Sequence, residues 1–75
     1  MIGSITNGFY KFPDENYSVK LSEVQELYIS VTTTQNGSLV NNVIVFVMKN
    51  GKEISLELCT EKEAETEYGE ILEQL

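Results

Sequence analysis

The 75 residues include no histidine, no arginine and a single cysteine, Cys59. Without histidine, the commonest general base and metal ligand is missing. A lone cysteine cannot close an internal disulfide, which fits a reducing compartment. With no histidine to activate it, Cys59 reads as a small residue filling the corner between a strand and a helix. Positive charge is scarce as well: five lysines face twelve acidic residues, a net −7. Nucleic-acid phosphates and anionic membranes should repel such a chain, so neither is an expected partner. No apolar run approaches the ~18 residues of a membrane span. "MIGSITNGFYKF" has no basic stretch followed by an apolar one, so the expected location is the cytoplasm. The triplets "NYS" and "NGS" are then coincidences rather than glycan acceptors.

What is present argues for one small folded domain over residues 1–75. The apolar content is 41%, above that of a disordered chain. A chain of this length buries only about 60% of its unfolded surface, so oligomerisation is one route to further stability. Its acid is unevenly placed. Residues 60–75 hold six glutamates and Lys62, a net −5, and everything before them sums to −2.

Three Asn-Gly pairs punctuate the chain, at Asn7-Gly8, Asn36-Gly37 and Asn50-Gly51. Each can supply the two positive φ angles of a type I′ hairpin turn. Strands are predicted near 2–6, 9–12, 17–21, 26–34, 40–49 and 52–59. "FPDENY" (12–17) reads as a turn, with Pro13 fixing φ and Asp14 and Asn16 able to bond their own backbone. "LSEVQEL" (21–27) offers Ser22 and Gln25 as caps of a single turn. The last segment changes period. Thr60 and Glu63 form a capping box, Glu61 and Glu63 suit the positive end of a helix dipole, and a helix is predicted over 61–75. Ala64, Tyr68, Ile71, Leu72 and Leu75 share its apolar stripe, which Gly69 weakens by about 1 kcal/mol relative to Ala. Strands first and one helix last imply an α+β, mainly β domain: a strongly curled antiparallel sheet or a small, partly open barrel with a C-terminal helix.

The stretch "VIVFVMKNGKEISLEL" (43–58) poses the main question. A two-residue turn at Asn50-Gly51 would pair Met48 with Glu53 and Val47 with Ile54. One face then holds Val43, Val45, Val47, Ile54, Leu56 and Leu58, a core. The other holds Ile44, Phe46 and Met48 among glutamates. The preceding strand has two registers open to it. A tight turn at Asn36-Gly37 pairs Ile29 with Ile44 and Leu27 with Phe46, whereas one more residue moves Leu27, Ile29 and Val31 to the main core. Either way an apolar patch remains opposite the helix. The N-terminal hairpin (Ile5, Phe9, Tyr10, Phe12), a second copy or another protein would have to cover it.

Residues 17–75 resemble small bacterial pleckstrin-homology-like modules in their consecutive antiparallel strands, the "VKLSEVQEL" turn, "KNGKEISLEL", and a capped helix ending "EYGEILEQL". The resemblance implies a scaffold that binds proteins or lipid headgroups rather than a catalyst. The usual basic lipid-binding loop is absent.

No catalytic constellation stands beside these features. Glu63, Glu67 and Glu70 share a helix face, and carboxylates suit a divalent cation, but a solvated face explains them more simply, and neither metal nor cofactor is expected. "NGK" (50–52) is a hairpin turn rather than a phosphate loop. The expected function is non-enzymatic protein binding, as a small acidic regulator or inhibitor of bacterial or phage origin. Glu63, Glu67 and Glu70 would face a basic partner, in one version by imitating nucleic-acid phosphate. The alternative is a structural subunit of a homo-oligomer, or a small-ligand binder with its site between subunits. In either of those, Tyr28, Ile44, Phe46 and Met48 would form the interface, a homodimer or larger ring.

Overall fold

The computed structural model describes residues 2–13, 16–33 and 40–75, which include two of the three Asn-Gly pairs. Asp14 and the Asn36-Gly37 turn lie outside the described residues. The other two pairs make different turns. Asn7 (φ 53°) and Gly8 (φ 80°) both take positive φ and pair Thr6 with Phe9, a two-residue hairpin. This turn joins β1 (Ser4–Thr6) to β2 (Phe9–Lys11), and β3 (Ser18–Lys20) pairs with the far side of β2. A 3₁₀ turn, Leu21–Glu23, follows without a side-chain cap. Then come β4 (Val24–Thr33), β5 (Val40–Met48), β6 (Glu53–Leu58) and α1 (Glu61–Leu72).

Among the described residues all pairings are antiparallel, and the class is α+β, mainly β, with six strands and one C-terminal helix. The strands form two three-stranded sheets, β1-β2-β3 and β4-β5-β6, instead of one curled sheet or partly open barrel. Hydrogen bonding at the junction shows why. Leu21 N donates to Gly8 O (2.9 Å), while Glu23 O accepts from Lys49 N (2.8 Å). The 3₁₀ turn thus spends its backbone groups on the two hairpins, and β3 does not pair with β4.

The second Asn-Gly pair departs from expectation. At Asn50-Gly51 only Gly51 (φ 90°) has positive φ. Gly51 N donates to Met48 O (2.9 Å), Met48 N donates to Lys52 O (2.8 Å), and Lys52 N donates to Asn50 Oδ1 (2.9 Å). The loop therefore has three residues, Lys49 to Gly51, with glycine in the left-handed position that such loops require. One added residue slips the register, so Val47 pairs with Glu53, Phe46 with Ile54 and Ile44 with Leu56. A slip of one exchanges the faces of a strand.

The interior of the second sheet is accordingly Ile44, Phe46 and Met48 with Ile54, Leu56 and Leu58, not Val43, Val45 and Val47. Leu27 pairs with Phe46 and Ile29 with Ile44, the tight-turn register of the two that the sequence left open. Ile44 and Phe46 are 0% exposed. The same face is covered twice. Tyr10 and Phe12 stack on Phe46 with ring centroids 5.7 and 5.8 Å away, and Ala64 and Ile71 of α1 complete the cluster with Leu56 and Leu58. Of the three possible covers for Ile44, Phe46 and Met48, the N-terminal hairpin supplies the aromatic part. Phe9, at 42% exposed, takes no part in it.

In α1, Thr60 Oγ1 accepts from Glu63 N (3.1 Å), the capping box expected there. The helix ends at Leu72, where Gln74 N turns back to Ile71 O (3.0 Å) and Leu75 N to Leu72 O (3.1 Å). This tight last turn leaves Leu72 and Leu75 exposed, and the buried stripe is Ala64, Glu67 and Ile71, with Tyr68 half-buried.

The two faces of β5 should respond differently to truncation. Phe46→Ala should cost about 3–5 kcal/mol in urea unfolding, and Val43→Thr under about 1 kcal/mol. Equal losses at both positions would contradict the observed register.

Candidate functional site

Helical spacing places Glu67 three residues after Ala64 and four before Ile71, inside the buried stripe, and its side chain is only 1% exposed. A buried carboxylate is tolerable only if its oxygens are satisfied. Here Ile2 N donates to Oε1 (2.8 Å), while Gly3 N (2.9 Å) and the Tyr10 hydroxyl (2.7 Å) donate to Oε2. The helix is thereby tied to the residues before β1 and to the centre of β2. The Tyr10 phenol is pushed well above its ordinary range, first by burial, then by its hydrogen bond to Glu67 and by that carboxylate's charge. Gly3 is required by close approach, because a Cβ there would collide with Lys11 O and the Tyr10 ring.

This cluster takes Glu67 out of the expected acidic partner face. Glu67 points inward. Glu63 is half-buried and closes the capping box, with Thr60 Oγ1 donating to its Oε1 (3.3 Å). Glu70 is half-buried and acts electrostatically on Tyr10. The interface stripe is corrected likewise. Ile44 and Phe46 are interior, and Met48 is half-buried against the core. Tyr28 alone of that set stays accessible, at 38% exposed, and it lies on the opposite face of the sheet.

That opposite face is the surface the sequence reading misassigned. Along β5 it carries Val43, Val45 and Val47. Beside them stand Ser30, Tyr28 and Glu26 on β4 and Glu57, Ser55 and Glu53 on β6, each at its register position. Val45 is 6% exposed, although it lies outside the core cluster. Its neighbours Tyr28 and Ser55 flank it in the plane of the sheet. Val43 and Val47 are half-buried. The result is an apolar centre with Glu26, Glu53 and Glu57 at its margin. Val43, Val45 and Val47 all lie outside the core cluster.

Two further features complete the surface. A groove of about 500 Å³ runs between the Asn7-Gly8 turn, the 3₁₀ turn and the end of α1, lined by Ile5, Phe9, Leu21, Val24, Lys20 and Leu75 among others. Asn42 is 2% exposed on the interior face, and its Oδ1 has no hydrogen-bond partner among the described residues. Cys59 is exposed, and no metal-ligating cluster occurs among the described residues.

The buried carboxylate generates two expectations. Glu67→Ala should cost about 2–4 kcal/mol, because it strands the Tyr10 hydroxyl and two backbone donors. Glu67→Gln should cost less, since glutamine keeps one acceptor oxygen but turns an amide toward donors. A chemical-denaturation series reads both. A raised phenol pKa adds stability that is complete below the unfolded tyrosine value of about 10 and is lost as pH climbs through the folded value. Stability should thus decline above roughly pH 10, less steeply in Tyr10→Phe.

Set against known proteins, the chain matches no family model, no curated protein and no solved structure.

Proposed function

We propose that this chain is a non-enzymatic protein-binding module, a small acidic regulator or inhibitor. In this reading it holds a protein segment on the open face of β4-β5-β6. The observation that carries the proposal is three successive outward positions of the central strand filled by Val43, Val45 and Val47. Tyr28 stands beside them, and three glutamates lie at the margin. Protein interfaces have this anatomy, an apolar centre inside a polar rim, and tyrosine is a frequent anchor. The rim selects the partner's chemistry. Glu26, Glu53 and Glu57 favour a segment that sets lysine or arginine around an apolar centre. A second copy laid face to face would instead bring acid against acid. The pattern resemblance of residues 17–75 to small bacterial pleckstrin-homology-like modules implies the same class of activity.

A short strand-forming peptide alternating lysine and valine is a suitable probe, with its glutamate–valine counterpart as control. In a two-dimensional amide NMR titration, the lysine peptide should shift the signals of Tyr28, Val43, Val45 and Val47, and rising salt should weaken its binding. Tyr28→Ala should weaken it at least tenfold. Shifts confined to the Phe9–Leu75 groove, or equal binding of the glutamate peptide, would refute the assignment.

A further inference from the structure

In the order β4-β5-β6 the sheet has two edges, and among the described residues β4 and β6 each have only β5 as a sheet neighbour. β4 runs ten residues and β6 six. At a rise near 3.4 Å per residue, the β4 edge is about 34 Å long. An open edge of that length is a template for another strand unless charge, proline or a cover blunts it. The first part of β4 is attended to. A bulge lies between Val24 and Glu26, Glu26 is charged, and the Tyr68 hydroxyl donates to Leu27 O at 3.3 Å. From Tyr28 to Thr33 the strand contains neither a charged residue nor a proline.

We propose that two copies of this chain join edge to edge through β4, antiparallel about a two-fold axis near Ile29, to form one six-stranded sheet. Facing positions must share a side of the sheet, so Ile29 meets its own copy and Tyr28 stands opposite Ser30. Glu26 then lies six positions along from its copy, about 20 Å away. That is well beyond the Debye length of about 8 Å at physiological salt. The same join through β6 fares worse. Centred on Ser55, it sets Glu53 directly opposite Glu57. Centred on Leu56, it puts the two copies of Glu57 on a diagonal, roughly 7–8 Å apart. Charge therefore selects β4 as the self-pairing edge and leaves β6 in solvent. The pair carries two copies of the Tyr28–Val45 surface side by side on one face of the joined sheet. It does not depend on what that surface binds.

Light scattering on the whole chain across a dilution series tests the join. The concentrated protein should have twice the mass of the 8.5 kDa chain. Rising salt should favour the pair by screening two net-negative chains, whereas it should weaken the basic peptide on the open face. Ser30→Lys places two cations on a diagonal across the axis and should halve the mass with an unchanged far-ultraviolet spectrum. Ser55→Lys, the same change on β6, should leave the doubled mass intact. Amide exchange gives an independent reading on the unaltered chain, with protection at Ile29 rising as the protein is concentrated. A single-chain mass at every concentration would overturn the proposal, as would dissociation by Ser55→Lys but not by Ser30→Lys.

Discussion

The acceptance of Lys52 N by Asn50 Oδ1, with Gly51 at φ 90°, determines which side of β5 becomes the interior. A two-residue turn would have opposed Met48 to Glu53. The three-residue loop opposes Val47 to Glu53, and every side chain of the hairpin changes sides relative to its partner. Both faces of β5 are apolar enough to serve as a core, so its composition does not choose between them. The choice falls to the turn and to what the turn touches. Lys49 N donates to Glu23 O, which holds the loop against the 3₁₀ turn and brings the interior face of β5 under Tyr10 and Phe12.

This explains what was legible in the sequence and what was not. The six strands, the capped helix and their order follow from local signals: β-forming runs between Asn-Gly pairs, then Thr60 and Glu63 ahead of a helical stripe. The division into two sheets does not, because it rests on where the backbone groups of Leu21 and Glu23 find partners. The face of β5 was illegible for a subtler reason. Asn-Gly is compatible with both a two-residue and a three-residue loop, and this chain uses one at Asn7-Gly8 and the other at Asn50-Gly51. Glu67 was within reach. Its spacing from Ala64 and Ile71 puts it on the buried stripe, a position that reading glutamates only as a solvated face overlooks.

Glu67 also answers a problem of size. The first sheet has strands of only three residues, too short to be stable alone. It is held from two sides. Tyr10 and Phe12 pack on Phe46, and the carboxylate of α1 takes the amides of Ile2 and Gly3 together with the Tyr10 hydroxyl. Helix, first sheet and second sheet then share one cluster, so that loss of any one exposes apolar surface on the other two.

The outer face follows from the same constraint. Once Ile44, Phe46 and Met48 are spent on the interior, Val43, Val45 and Val47 are left on the other face of the sheet, outside the core cluster. Sequence requirements for a buried central strand and for a wet outer face conflict here. An antiparallel sheet with one solvated face ordinarily alternates apolar and polar residues, as β6 does with Glu53, Ser55 and Glu57 facing out. β5 does not alternate. Val45, on the middle strand, has Tyr28 and Ser55 as its register partners and is 6% exposed, whereas Val43 and Val47 are half-buried. Tyr28, the register partner of Val45, is the large apolar side chain that this face leaves exposed among the described residues.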